Sequence, residues 1–391
     1  MNWKYKLRSF GYAEIGDDIW FPNLFYNALI RLKKATGRIE IIGKFPNYEI
    51  DQGWLYSGVC HVDKYLVFIP NQSKEIVSYD MNSKKFVSTA LDLDHIGNKK
   101  TYFVSAYVHG HYVYMFPTGA MCMVRYNIRD HSVKYLDNDL SALIHTMPKT
   151  SYCLYQQFEI LEEKIYFPFL ELNAVAVFSP KDESIEIKYL DVEGGCSTIN
   201  YAGGFFYLAS WNRPEIYRWN IDTGEVRTYP VFPKEIVGGH IFLCACNIGD
   251  TLVYFPEQSD ILISFSTKTG KLRKLQSVSY DDEEPIKTYF AQKEGKTYHI
   301  LTADRKFINC FFYESEQFHI EPLFQLDDLY NEKKIDDFWM LQKYYAGHPE
   351  GEDTLKEYMD LLIRKEESGV MKEKIAFGEE IFRQLQKDYT K

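Results

Sequence analysis

The hydrophobic pattern of this chain consists of short apolar runs separated by polar turns. The run LVYF at 252–255, for example, follows a turn at Gly249 and Asp250 and stops at Pro256. Runs of this length, bounded by Gly, Pro, Asp and Ser, are typical of strands and hairpins and are too short and too often interrupted for helices. The pattern predicts a β-rich chain.

A short apolar run of this kind occurs seven times along the sequence. Its first positions are 19, 66, 113, 165, 206, 252 and 298, which are spaced by 41 to 52 residues. Each run follows a strand rich in small residues and a turn, and precedes a third strand, a second turn and a fourth strand. Four short antiparallel strands in a unit of this length are typical of a propeller blade. The sequence therefore predicts an all-β fold, a seven-bladed β-propeller with four antiparallel strands per blade, over residues 1–323.

The pattern changes to helical spacing after residue 323. Leu355, Tyr358, Met359 and Leu362 would share one helix face, and the segment GHPEG at 347–351 would separate two helices. We expect a C-terminal α-helical extension over residues 324–391. It would either pack on the propeller or present an amphipathic helix to another protein.

The repeats resemble those of the broad kelch, WD40 and NHL type of β-propeller. The first unit, with GDDIWFP followed by LIRLKKATGRIEII, is most similar to the repeats of streptogramin-lyase-like propellers, which carry a similar G-x-W-F step and a later T-G turn. In later units the Trp of that step is replaced, by Val67, Tyr114, Tyr166 and Tyr207. At the turn after the first strand of a repeat, a kelch-type double glycine occurs only at Gly203 and Gly204, and a WD40-type Trp-Asp ending is absent. The resemblance implies a fold that hosts both enzymes and binding modules.

Composition and charge narrow the function classes. The 391 residues carry a net charge of −10, which disfavours a nucleic-acid partner because phosphate binding needs clustered Lys and Arg. The N-terminus lacks the pattern of a signal peptide, and no apolar stretch is long enough to span a membrane. The seven cysteines show no CxxC pairing, so we expect no disulfide, no structural zinc and no cofactor. The expected location is the cytoplasm.

Polar residues on two first strands indicate a candidate channel site. Glu159 and Asn200 occupy the first-strand position that other repeats fill with Ala13, Cys60, Tyr107, Cys246 and Gln292. Gln157 and Thr198 precede them by two residues and would therefore lie on the same face. We expect all four side chains to face the central channel, either as a water-filled polar lining or as a ligand site.

Other possible metal-binding or reactive residues have little support from the sequence. His109 and His111 form a possible metal pair, but no third ligand can be identified from spacing. Cys244 and Cys246 share one strand face, and small wall residues explain them better than reactivity. No nucleophile elbow, Walker loop or G-x-G-x-x-G is present.

The loops after the second strands indicate a partner surface. They carry five side chains that we expect to be exposed, namely Phe25, Tyr26, Phe169, Trp211 and Arg213. Aromatic residues and Arg are enriched at interface hot spots, and such rings also stack on sugars; ordinary packing between blades is the alternative. The sequence thus favours a non-catalytic binding or scaffolding module that presents one loop face to a protein or glycan partner. The rival interpretation is an enzyme with a site at the channel mouth, a lyase or carbohydrate-active enzyme using Glu159.

Overall fold

The computed structural model describes residues 9–36, 38–97, 101–148, 152–230, 242–256, 263–275, 288–294, 297–302, 307–314 and 317–325. The chain divides into two compact units, Met1–Ile335 and Asp336–Lys391, and every described residue belongs to the first. The predicted helical extension lies outside the described residues, apart from the two positions that end the last strand.

The structure consists of four-stranded antiparallel sheets, each built from four consecutive strands. The first sheet comprises β1 (Ala13–Ile15), β2 (Asp18–Pro22), β3 (Leu29–Lys33) and β4 (Arg38–Gly43). The second comprises β5 (Tyr56–Val62), β6 (Tyr65–Pro70), β7 (Glu75–Asp80) and β8 (Lys85–Ala90). The third comprises β9 (Phe103–His109), β10 (Tyr112–Pro117), β11 (Met123–Asn127) and β12 (Val133–Leu136).

The later sheets repeat this arrangement. The fourth comprises β13 (Glu159–Leu161), β14 (Lys164–Pro168), β15 (Ala174–Ser179) and β16 (Ser184–Tyr189). The fifth comprises β17 (Cys196–Ala202), β18 (Phe205–Ser210), β19 (Glu215–Trp219) and β20 (Val226–Pro230). The sixth comprises β21 (Phe242–Ile248), β22 (Thr251–Pro256), β23 (Ile263–Ser266) and β24 (Leu272–Lys274). A further sheet comprises β25 (Thr288–Glu294), β26 (Thr297–Thr302), β27 (Phe307–Glu314) and β28 (Gln317–Gln325).

The prediction of an all-β chain made of four-stranded antiparallel units is confirmed. The sequence analysis aligned one position of the first strand across all seven repeats, and the strand register agrees with that alignment. In each sheet this position pairs with the second residue of the repeated apolar run on the second strand. The pairs are Ala13–Trp20, Cys60–Val67, Tyr107–Tyr114, Glu159–Tyr166, Asn200–Tyr207, Cys246–Val253 and Gln292–His299. A shift of one residue in any unit would have moved its polar positions to the opposite face.

The segment just before the first strand of the first sheet is bonded to the second sheet. The backbone N–H of Phe10 donates to the carbonyl of Ser57 at 2.8 Å. Gly11 lies against Gly58, where an added Cβ on Gly58 would come within 3.1 Å of the Gly11 Cα. Residues 10–12 therefore pack on β5, and β1 begins only at Ala13.

Two short helices lie in connections where the sequence analysis assigned no element. The first, α1 (Leu93–Ile96), is capped by the carboxylate of Asp92, and the second, α2 (Asp139–Thr146), begins with a capping box formed by Asn138 and Ser141. Both caps satisfy backbone N–H groups that a helix start would otherwise leave unpaired.

The hydrophobic core lies between the faces of successive sheets. Between the first and second sheets the Phe45 ring contacts Tyr56 and Phe68, with centroids 4.5 and 4.6 Å away. Between the third and fourth sheets Phe116 packs against Phe167, with ring centroids 3.9 Å apart. Each of the first six sheets is thus held by a neighbouring sheet, because a single four-stranded sheet cannot bury both of its faces alone.

An ion cluster links the third and fourth sheets at one edge of this core. Glu183 lies in the turn between β15 and β16. Its carboxylate accepts hydrogen bonds from Arg125 at 2.5 Å, from Lys134 at 2.6 Å and from the Tyr114 hydroxyl at 3.1 Å. Partial burial opposes ionisation of Glu183, but Lys134 and Arg125 outweigh it and hold the pKa of the carboxyl below its ordinary value of 4.5. The cluster therefore stabilises the folded chain only while Glu183 is charged.

We expect Glu183→Gln to lower the free energy of unfolding by about 1 kcal/mol at neutral pH. Because the folded pKa is depressed, the loss is fully present above pH 4.5 and shrinks as the pH falls through the lower folded value. Urea denaturation at several pH values measures it. The matched control is Glu186→Gln, which removes an exposed pair with Lys188. A constant difference between the Glu183 variant and the unchanged protein across the acid range would contradict this account.

Candidate binding site at the channel and its rim

The inner strands of the first six sheets surround one cavity of about 730 Å³. Its wall includes one or more residues from each of these strands or the segment preceding it, among them Tyr12, Cys60, Ala106, Glu159, Asn200 and Cys246. The cavity has the volume of a small-molecule pocket. Whether its polar groups bind a ligand or connect the sheets depends on their arrangement.

Three of the four predicted channel residues, Gln157, Glu159 and Asn200, line this cavity. The Gln157 side chain accepts from the N–H of Ala245 at 2.9 Å and donates to its carbonyl at 2.7 Å. The amide of Asn200 donates to the same carbonyl at 3.2 Å. These amides therefore connect the fourth and fifth sheets to the inner strand of the sixth.

Glu159 makes a similar connection on the neighbouring strand. Its carboxylate accepts from the N–H of Tyr201 at 2.9 Å and from the N–H of Ile160 at 3.2 Å. The Tyr201 carbonyl in turn accepts from the Asn247 amide at 3.1 Å. Polar side chains on the inner strands thus replace the backbone ladder that is missing between adjacent sheets.

The fourth predicted channel residue, Thr198, does not line this cavity. Thr198 is fully buried, and its hydroxyl accepts from the backbone N–H of Ala209 at 3.1 Å. The pairing of β17 with β18 is irregular between Cys196 and Thr198 but regular from Thr198 to Ala202, so Thr198 still shares a strand face with Asn200. Alternation predicts the face of a strand, but it does not predict which positions on that face neighbouring elements cover.

We expect Gln157→Leu to lower the free energy of unfolding by about 2 kcal/mol, because it leaves the Ala245 N–H buried without its partner. Guanidinium denaturation measures the loss. Gln72→Leu, at an exposed loop position, serves as the control and should change stability by no more than about 0.5 kcal/mol. Equal stability of the Gln157 variant and the unchanged protein would show that this amide is not structural and is available to a ligand.

The cysteines of the channel are buried thiols. Burial raises the pKa of Cys60 to about 12, and Cys244 and Cys246 are almost fully covered. No disulfide joins the six cysteines that the structure describes with side chains. A buried neutral thiol is a poor nucleophile, so these residues serve as small apolar wall groups.

Two of the five predicted rim residues are not exposed. Tyr26 and Phe169 have no accessible surface, and burial raises the pKa of the Tyr26 hydroxyl. Phe169 is fixed by backbone hydrogen bonds to Ala174 and Cys196 and packs in the core between the third and fourth sheets. The alternative of packing between sheets therefore holds for Phe169, while for Tyr26 the structure shows burial within its loop region.

The other three predicted rim residues reach the surface. Phe25 and Trp211 are half-buried, and Arg213 is exposed and pairs with Glu193. Trp211 contacts Tyr155 with ring centroids 5.6 Å apart. Tyr155 and Trp54 both pack against a small buried cluster of Phe10, Leu24 and Val104, and the Phe10 ring lies 5.9 Å from that of Trp54. We call Trp54, Phe10, Tyr155 and Trp211 the rim strip.

Topology places the rim strip on one face of the sheets. Trp211 lies between a second and a third strand, whereas Trp54 and Tyr155 lie between a fourth strand and the next first strand. In up-and-down sheets both kinds of connection emerge at the same end. Trp54 and Tyr155 were not predicted as rim residues, because that prediction considered only the loops after the second strands.

The rim strip is rigidly supported from below. Trp54 adopts φ 60°, a left-handed conformation that is costly for a bulky residue, and its N–H donates to the Leu24 carbonyl at 2.7 Å. The Tyr155 carbonyl accepts from the Ser105 hydroxyl at 2.8 Å. The Phe10 carbonyl accepts from the Gln156 amide at 3.1 Å, which joins the first sheet to the fourth across the cavity. Backbone strain held by such bonds is characteristic of functional surfaces.

No helix within the described residues is long and apolar enough to cross a membrane.

Comparison with protein-family models and with curated proteins gave no match. Solved structures do match. Virginiamycin B lyase from Staphylococcus aureus has a TM-score of 0.56 at 11% identity, over 75% of this chain and 91% of that one. A streptogramin B lyase structure has a TM-score of 0.55 at 13% identity, over 75% and 90% of the two chains. A chain of the mitotic checkpoint complex has a TM-score of 0.53 at 10% identity, over 77% and 85%. At these identities the similarity concerns the fold, and the chain is a β-propeller repeat protein with structural similarity to the streptogramin lyases.

Proposed function

We propose that this protein is a non-catalytic binding module that holds a protein partner on the face carrying the rim strip. The observation that supports the proposal is the rim strip, in which Trp54 contacts Phe10 and Trp211 contacts Tyr155, with the exposed Arg213 two positions after Trp211. Trp, Tyr and Arg are the residues most enriched at interface hot spots, where rigid rings contribute area at little cost in side-chain entropy.

The proposed architecture is a closed seven-bladed ring. The inner strands of the first six sheets line one cavity, and the sheet formed by β25 to β28 would complete the ring between the sixth sheet and the first. The helical extension at 324–391 would be an additional partner-binding element. The lack of a disulfide among the six cysteines described with side chains supports a reducing compartment such as the cytoplasm.

The alternative function is an enzyme with a site at the channel mouth, a lyase or carbohydrate-active enzyme using Glu159. The cavity itself and the likeness to lyase structures favour it. Against it, the Glu159 carboxylate accepts backbone N–H groups of Tyr201 and Ile160, and the amides beside it connect the sheets. A general acid or base needs to reach the proton it transfers, and this carboxylate is already engaged.

The test is affinity capture with the intact chain, compared by quantitative mass spectrometry among four variants. Trp211→Ala and Arg213→Ala should each lower recovery of the partner at least tenfold. Tyr189→Ala, which truncates an exposed ring on an outer strand, should not change it. Glu159→Gln should also leave recovery unchanged.

The outcomes separate the candidates. Loss of the same protein in both rim variants, with retention in the Tyr189 and Glu159 variants, supports the proposal. Capture that is insensitive to the rim variants overturns it. Recovery of glycoproteins that is abolished by enzymatic deglycosylation assigns the rim to a glycan instead. A small molecule in the cavity that is lost in the Glu159 variant favours the enzyme.

A further inference from the structure

Three potential metal ligands meet at the outer end of the third sheet. His95 belongs to α1, Cys122 lies just before β11, and Asp137 follows β12. Their ligating atoms all lie within 4.8 Å of one another, and the His95 Nε2 is 3.0 Å from an Asp137 oxygen. His95 and Cys122 are 27 residues apart, and Cys122 and Asp137 are 15 residues apart. These spacings match no zinc-binding motif, so the cluster could not be predicted from the sequence.

The cluster has the size of a coordination sphere. Some point lies within about 2.8 Å of all three atoms, while zinc bonds to His, Cys and Asp are about 2.0 to 2.3 Å long, so small rotations would suffice. In tetrahedral coordination two nitrogen or oxygen ligands are about 3.3 Å apart, close to the separation of His95 and Asp137.

The groups around the cluster hold it in place. The Asp92 carboxylate accepts from the N–H groups of Asp94 and His95 and so fixes the backbone of α1. The His95 ring stacks on Tyr135 at 4.6 Å, and the Tyr135 hydroxyl accepts from the Asp92 N–H at 2.6 Å. Supporting contacts of this kind orient metal ligands in built sites.

The segment that carries Cys122 is bonded directly to α1. The Met121 N–H donates to the Ile96 carbonyl at 2.9 Å, and a Cβ at Gly97 would come within 2.8 Å of the Met121 side chain. Cys122 itself is buried, and its sulfur lies within 4.8 Å of the Asp137 carboxylate, whose negative charge favours a cation at this point.

We propose that His95, Cys122 and Asp137 bind a zinc-class divalent cation, with a water molecule as the fourth ligand. One nitrogen, one sulfur and one carboxylate oxygen form a ligand set that suits Zn²⁺ and excludes the oxygen-preferring Mg²⁺ and Ca²⁺. The cation would fasten α1 to the two loops beside it.

The experiment is titration of the chelator-stripped full-length chain with Co²⁺, followed by displacement with Zn²⁺. The thiolate-to-cobalt charge-transfer band and the visible bands of tetrahedral Co²⁺ should saturate at one equivalent. Cys122→Ser should abolish the charge-transfer band, and His95→Ala and Asp137→Asn should each weaken Co²⁺ binding at least tenfold. Cys60→Ser and Cys246→Ser are the matched controls and should keep the band.

Because Cys122 is buried, its variant needs a check on folding by circular dichroism. The exposed His95 and Asp137 give independent variants that leave the core intact. Absence of a thiolate band in the unchanged protein, its persistence in the Cys122 variant, or an unchanged affinity for Co²⁺ in the His95 variant overturns the proposal. Raised thermal stability with Zn²⁺ that disappears in the His95 variant supports it.

Discussion

Phe116→Ala is expected to lower the free energy of unfolding by about 4 kcal/mol, one of the two largest losses we predict for a single substitution in this chain. Phe116, on β10, has no accessible surface. Its ring lies 3.9 Å from Phe167 and 5.7 Å from Phe178, both on the fourth sheet. Truncation removes the contact between two sheets and leaves a cavity that rigid strands cannot close. Guanidinium denaturation followed by circular dichroism measures the loss.

Two controls make the Phe116 result specific. Phe116→Leu keeps most of the volume and should cost only about 1.5 kcal/mol. Tyr189→Ala removes a ring that is 64% exposed and should change stability by no more than about 0.5 kcal/mol. If Phe116→Ala and Tyr189→Ala cost the same, the third and fourth sheets do not pack as described.

Gly195→Ala is the second large prediction, with an expected loss of about 3 kcal/mol. A Cβ at this position would lie 2.2 Å from the Leu170 carbonyl oxygen and 2.3 Å from that of Phe169. Those atoms are backbone, and the Phe169 carbonyl also accepts from the Cys196 N–H at 2.7 Å, so it cannot move without breaking the link between the fourth and fifth sheets. Urea denaturation measures the effect.

Gly195→Ala should also displace part of the rim strip. The Gly195 carbonyl accepts from the Trp211 N–H at 2.9 Å, so displacement of Gly195 moves the loop of the rim strip. The control is Gly203→Ala, where nothing lies within 4 Å and only the left-handed φ of 57° is disfavoured, at a cost of about 1 kcal/mol. Equal losses for the two glycines would rule out the close approach at Gly195.

Most of the strand architecture could be predicted from the sequence. Prolines such as Pro70 and Pro117 end the second strands, and turns before and after them fix where each hairpin begins. Because side chains alternate along a strand, aligning the repeats was enough to place Cys60, Glu159 and Asn200 at equivalent register positions.

What the sequence could not predict depends on long-range contacts. Thr198 keeps the alternation with Asn200 but is fully buried, and a strand pattern does not show which positions other elements cover. Tyr26 is fully buried and Phe169 packs between the third and fourth sheets, and neither outcome is encoded in the loop itself. Tyr155 meets Trp211, and His95 meets Asp137, only after the sheets have packed.

The central claim is that the rim strip binds a partner while the channel amides hold the sheets together. Hydrogen–deuterium exchange of the intact chain, with and without the captured partner, tests it most directly. We expect partner-dependent protection at 10–12, 52–54, 152–157 and 210–215, with unchanged exchange along β17 and β21. Protection confined to the turns at the opposite end of the sheets, or to the inner strands alone, would contradict the account.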